Sequence, residues 1–162
     1  MAEHCPPDIP SRDLTVLVVD DDPDLLLLCA THLRSAGYAV LMALGSAEAQ
    51  ATCDIYPTKI DLIVIDVLLY PSTVDVDHER NVMPRVHGDK LIPLLRIKRP
   101  LSRFLLMSAS SPWALGGRGM SRVLRAYPFL QKPFTKQSLL DKVREGLASA
   151  LPPPKPLSEK YR

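Results

Sequence analysis

Apolar runs that each end in a chemically capable polar residue organise this chain. Leu14-Thr15-Val16-Leu17-Val18-Val19 stops at Asp20-Asp21-Asp22, and Ile60-Asp61-Leu62-Ile63-Val64-Ile65 stops at Asp66. A third run over residues 103–107 closes on Ser108-Ala109, and Phe129-Leu130 leads through Gln131 to Lys132-Pro133. Near-continuous aliphatic and β-branched residues of this length suit strands buried on both faces of a parallel sheet. Between the runs the period becomes helical. Residues 23–36 predict a helix capped by Asp22, with Pro23 in its first turn and Gly37 as its stop. Residues 38–42 predict a short second strand, and Ser46 is expected to cap a small helix reaching about Cys53. Helical spacing resumes over residues 91–97, where Pro93 is tolerable only near a helix start. Residues 110–120 hold Pro112 and Gly116-Gly117-Arg118-Gly119 and predict loop or weak helix, with 123–126 as the end of a fourth helix. Thr135 is placed to cap a last helix reaching Ala148, its apolar stripe being Leu139, Leu140, Val143 and Leu147.

Strands alternating with helices predict an α/β fold, a doubly wound parallel sheet with helices on both faces. Such sheets bind ligands beyond the carboxyl ends of their strands, where all four polar endings lie. A single domain over residues 14–149 is expected. Residues 1–13 read as a flexible tail, and 150–162, with Pro152-Pro153-Pro154-Lys155-Pro156, as an extended tail or linker.

Composition narrows the function classes. The 162 residues suffice for one domain with a real core, and 46% hydrophobic with 23% charged residues is ordinary for a globular protein. A net charge of +2 gives no global field for nucleic acid or an anionic membrane. Basic residues do gather in the second half, which reads first as ordinary solvated helix faces and second as a basic binding patch. Cys5, Cys29 and Cys53 are an odd count without metal spacing and are expected to be free thiols in a reducing compartment. No apolar run reaches membrane-spanning length and no signal peptide is visible, so the cytoplasm is the expected location.

Acidic pair, lone aspartate, hydroxyl and lysine, in that order, describe chemistry on a phosphoryl group. Hard divalent cations such as Mg²⁺ take oxygen ligands, which Asp20, Asp21 and Asp66 supply. Crowded carboxylates favour a cation between them. Asp66 can then act as a carboxylate nucleophile, while Lys132 and the Ser108 hydroxyl meet the phosphoryl oxygens. Each element alone has a plainer explanation: strand-end acids cap helices, a lone aspartate makes turns, and Lys-Pro is common in loops.

Taken together, Val18-Val19-Asp20-Asp21-Asp22-Pro23, Asp61-Leu62-Ile63-Val64-Ile65-Asp66, Met107-Ser108-Ala109 and Phe129-Leu130-Gln131-Lys132-Pro133-Phe134 resemble the receiver domains of two-component response regulators. The likeness covers residues 13–149. It implies a (βα)5 fold of flavodoxin-like order with five parallel strands. It also implies Asp66 as phosphoacceptor, Asp20 and Asp21 as the metal-binding pair, and Leu68 as a further metal ligand through its backbone carbonyl. Ser108 stands where the family has its switch hydroxyl, Phe129 its switch aromatic and Lys132 its site lysine, and the Lys132-Pro133 peptide looks like one that is cis in the family.

Three departures stand out. Met83-Pro84-Arg85-Val86-His87-Gly88 resembles the segment that follows the phosphoacceptor in the family, yet Gly88 lies 22 positions after Asp66. An insertion over residues 68–81 is therefore expected, as a lid or partner-docking loop, a second cation site through Asp75, Asp77 and Glu79, or a solvated excursion without a role. The fourth helix is disrupted around Trp113, which is expected near Asp66. Phe129 lacks a hydroxyl, so its switching would work by ring packing.

The expected function is a receiver module in a phosphorelay. A sensor histidine kinase or a histidine phosphotransfer protein would phosphorylate Asp66, and a downstream protein partner would read the changed surface. It is not expected to be a turnover enzyme, to bind nucleic acid or membrane directly, and a homodimer is possible. The alternative is a degenerate receiver working as a phosphorylation-independent interaction module. A phosphohydrolase of the haloacid-dehalogenase type would want an aspartate where Leu68 stands, and the glycine-rich stretch lacks the Lys-Ser/Thr of a phosphate loop.

Overall fold

Period-two alternation in the strands sorts the apolar residues onto two faces of one sheet. The computed structural model of the protein describes residues 14–69, 86–111 and 123–151. Its elements are β1 (Thr15–Asp20), α1 (Pro23–Ser35), β2 (Ala39–Leu44), α2 (Ser46–Ile55), β3 (Leu62–Asp66), β4 (Leu68–Leu69), β5 (Val86–His87), α3 (Gly88–Lys98), β6 (Arg103–Ser108), α4 (123–126), β7 (Phe129–Gln131) and α5 (Lys136–Ala148). Five strands form a parallel sheet in the order β2-β1-β3-β6-β7. Leu17, Val19, Ile63, Ile65, Phe104 and Leu106 bury one face with Cys53 of α2 and Leu91 and Leu95 of α3. Val16, Val18, Leu62, Val64, Leu105 and Met107 bury the other with Leu26, Cys29 and Leu33 of α1 and Leu139 and Val143 of α5. Each fully buried aliphatic side chain contributes about 1.5–3 kcal/mol, so this double core fixes the sheet.

The chain runs from β1 outward to β2, then returns to place β3 on the other side of β1. That reversal opens a crevice at the carboxyl ends of β1 and β3. In the β1–β3 ladder Val19 faces Ile65, and the next residue of each strand is Asp20 or Asp66. Asp61, itself buried, ties the other end of the same strands by accepting a hydrogen bond from the Thr15 amide at 2.9 Å.

Most predicted elements sit within two residues of their expected positions. Asp22 caps α1 by accepting from the amides of Asp24 and Leu25, Gly37 follows with φ 94°, and Thr135 caps α5 by accepting from the Ser138 amide. Cys29 and Cys53 are free thiols, both buried. Four expectations need correction. Ser46 does not cap α2: it is the first helical residue, and Gly45, with φ 90°, precedes it without a side-chain cap. The third helix starts at Gly88, so Pro93 lies in its second turn, where its exposed ring offers no amide to the turn before it. The second strand runs on to Leu44. The expected insertion over residues 68–81 does not begin as loop, because Leu68 pairs with His87 and Leu69 with Val86 in a short antiparallel ladder. Most of the predicted insertion, with Asp75, Asp77 and Glu79, lies outside the described residues, as do Trp113, residues 1–13 and 152–162.

Strand β2 lies at the sheet edge and is wholly apolar. Arg34 donates to the Val40 carbonyl at 3.1 Å, and Glu48 accepts from the Leu44 amide. These side chains occupy backbone groups on the open edge and oppose pairing with another strand.

Gly146 is buried in α5 because a β-carbon there would meet Leu62 Cδ1 at 3.0 Å and Leu105 Cβ at 3.7 Å. Gly146→Val is expected to lower the unfolding free energy by about 2 kcal/mol through overpacking. Urea denaturation checks this, with the midpoint falling at an unchanged slope.

Candidate functional site

Strand ends, not loops, position the principal charged groups. Asp20 ends β1, Asp66 ends β3, and Lys132 follows β7. The backbone carries on the order of this positioning by itself: strands in register present their last residues side by side. Asp20 is fully buried and Asp66 nearly so, while Asp21 is half-buried. Carboxylate oxygens of Asp20, Asp21 and Asp66 all lie within 4.8 Å of one another. The Lys132 ammonium donates to Asp20 Oδ2 at 2.6 Å and to Asp66 Oδ2 at 3.0 Å.

The remaining oxygens are held by main chain. Asp20 Oδ1 accepts from the Asp22 amide at 2.9 Å, and Asp66 Oδ1 accepts from the Leu68 amide at 3.1 Å. Burial pushes the Asp20 carboxyl above its ordinary range, and the bonds from Lys132 and the Asp22 amide pull it only part of the way back. Burial alone would lower Lys132, but its contacts with Asp20 and Asp66 outweigh that and hold the ammonium above its ordinary value. Cys29 of α1 senses the same cluster: burial first, and the Asp20 charge second, push its thiol up to about 11.

Among the described residues, three carboxylates stand against one ammonium, which leaves the cluster negative. Each oxygen of Asp20 and Asp66 has one hydrogen-bond partner among them and keeps a lone pair for another. Hard oxygen donors this close together fit a divalent cation, which would offset the excess charge. Leu68 stands beside them in β4, half-buried, its backbone fixed by the Asp66 bond and by pairing with His87.

Ser108 ends β6, one residue beyond the Met107 that faces Asp66 across the ladder. It is fully buried, and its Oγ accepts from the Ser110 amide at 3.1 Å. A hydroxyl that accepts one bond in this way can still donate its hydrogen to another acceptor. Phe129 does not join the carboxylate cluster. It is half-buried against the core on the α2–α3 face of the sheet and lines an open groove of about 800 Å³ with Leu130, Pro133 and Phe134. The Lys132-Pro133 peptide is cis. Gln131 escaped notice in the sequence, where only its place before Lys132 marks it. Its side-chain amide donates to the Ala109 carbonyl at 2.8 Å and to the Lys132 carbonyl at 3.2 Å.

No family model matches the chain. Among curated relatives, the protein PilG of Pseudomonas aeruginosa is 25% identical over 142 residues, covering 88% of this chain and 93% of PilG. The sensor kinase CckA of Brucella abortus is 28% identical over 137 residues, 85% of this chain but only 13% of the kinase. Among solved structures, the chemotaxis protein CheY4 of Vibrio cholerae superposes with a TM-score of 0.61 at 24% identity, covering 82% of this chain and 98% of that one. A response regulator of Burkholderia pseudomallei, determined with a phosphorylated aspartic acid, calcium ion and citrate, gives 0.60 at 22% identity over 83% of this chain and 69% of that one. No helix among the described residues is long and apolar enough to cross a membrane. In sequence likeness and in fold together, this chain has the receiver-domain architecture of two-component response regulators.

Proposed function

We propose that the protein is a phosphoryl-accepting signalling module in which Asp66 is the acceptor. The observation that carries this is the Lys132 ammonium, 3.0 Å from Asp66 and 2.6 Å from Asp20, reaching from the far end of the sequence to two buried carboxylates. A phosphohistidine on a sensor kinase or a phosphotransfer protein is the donor. Its P–N bond breaks as a P–O bond to an Asp66 carboxylate oxygen forms, and the imidazole leaves with a proton. Later attack by water releases inorganic phosphate and restores the carboxylate. Intact charged groups at all three strand ends favour this over a phosphorylation-independent module.

Asp20, Asp21, Asp66 and the Leu68 carbonyl are the groups that would hold Mg²⁺. A bound Mg²⁺ supplies charge neutralisation for the transferring oxygens. Lys132 holds the Asp66 carboxylate and is free to swing onto a phosphoryl oxygen as a point charge. Ser108 turns its hydroxyl to the same group, and Phe129 repacks at its groove. That groove, with Phe134 and Pro133, is then the surface a downstream protein reads.

Two outcomes are expected. Beryllofluoride, a phosphoryl mimic, binds saturably in the presence of Mg²⁺, measured by calorimetry; Asp66→Asn abolishes the signal, and Lys132→Met weakens binding at least about tenfold. Binding that survives Asp66→Asn would sink the assignment. Mg²⁺ at about 100 times its dissociation constant adds about 2.7 kcal/mol of stability to the wild type. Asp20→Asn relieves repulsion in the negative cluster, so the metal-free variant melts above the metal-free wild type and gains little from Mg²⁺. Scanning calorimetry with and without Mg²⁺ reads both effects.

A further inference from the structure

The last ladder contact between β6 and β7 pairs Ser108 with Gln131, and the Lys132 amide donates to the Ser108 carbonyl at 2.8 Å. Beyond it the two backbones part. One enters Ala109 and Ser110, and the other enters the cis peptide before Pro133. Gln131 bridges them. Its single NH₂ group carries two hydrogens, and its nitrogen donates to the carbonyl of Ala109 on one segment and of Lys132 on the other. The side chain is exposed, so packing does not explain its placement. A second bond, from the Ser110 amide to Ser108 Oγ, fixes the start of the same segment.

We propose that Gln131 is a positioning residue that holds the segment after Ser108 in the arrangement these bonds define and so weakens phosphoryl capture. The inference rests on Asp66 being the phosphoacceptor. Ser108 Oγ is tied to the peptide that follows it. When the hydroxyl shifts to engage a phosphoryl group on Asp66, the Ala109–Ser110 peptide is drawn with it through the Ser110 amide, and Gln131 grips that peptide by its Ala109 carbonyl. The receptive arrangement is therefore only a fraction of the population, and apparent affinity is reduced by that fraction. Ala109 is exposed, so water solvates its carbonyl once the glutamine is gone, and removing the bridge leaves the folded domain intact.

The test uses the full chain with Gln131→Ala and Gln131→Glu, the second being nearly isosteric but lacking the N–H donors. Amide hydrogen exchange at Ser110 reads the bridge without any phosphoryl group. Beryllofluoride titration with Mg²⁺ reads its consequence. Both variants are expected to exchange the Ser110 amide faster and to bind beryllofluoride about fivefold more tightly, about 1 kcal/mol at 1.4 kcal/mol per tenfold, at an unchanged melting temperature. A merely structural role would lower the melting temperature and would not tighten binding. Unchanged exchange, or unchanged or weaker binding, overturns the positioning role. A wild type that takes no beryllofluoride overturns the phosphoacceptor assignment itself, and is told apart because the exchange rates are measured without it.

Discussion

Asp20, Asp21 and Asp66 repel one another at a place where little water screens them. Isolated in a flexible chain, three carboxylates would separate. Here the sheet forbids it. Asp20 and Asp66 are the last residues of two adjacent parallel strands whose preceding residues are locked in register and buried on both faces. Separating the carboxylates would require breaking the β1–β3 ladder and the cores on either side of it. The strain of like charges is thus held by apolar burial, and Lys132 offsets part of it from a strand whose placement depends on the same sheet.

That arrangement is what the proposed cation and phosphoryl chemistry would draw on. Among the described residues the site is short of positive charge and already organised, so a cation would gain the attraction without having to assemble its ligands. The amides of Asp22 and Leu68 fix one oxygen of Asp20 and one of Asp66, which orients both groups and leaves the opposite oxygens to the ammonium. Leu68 is itself tied to His87 across the β4–β5 ladder. The β4–β5 ladder thus starts two residues after Asp66 and leads at Gly88 into α3.

The fold and the charged cluster were legible because both are written in local patterns. Continuous apolar runs named the buried strands, and the polar residues closing them named the site: Asp20, Asp21, Asp66, Ser108 and Lys132 all stand at the expected strand ends. Errors arose where a local rule met a competing tertiary one. Ser46 has the chemistry of a helix cap, yet Gly45 supplies a positive φ that starts the helix a residue earlier. Pro93 argued for a helix start, but its ring faces solvent, where the missing amide bond costs less. Gly146 and Gln131 gave no signal. A glycine that admits Leu62, and a glutamine that bridges two loops, are defined only by what the fold brings against them.

The most direct test is intact-mass spectrometry of the full chain after incubation with Mg²⁺ and acetyl phosphate, a small donor that needs no kinase. We expect the gain of one phosphoryl group, labile to hydroxylamine as an acyl phosphate is, and absent from Asp66→Asn. A wild type that stays unmodified while binding Mg²⁺, or a modification that persists in Asp66→Asn, would contradict the assignment of Asp66 as the acceptor.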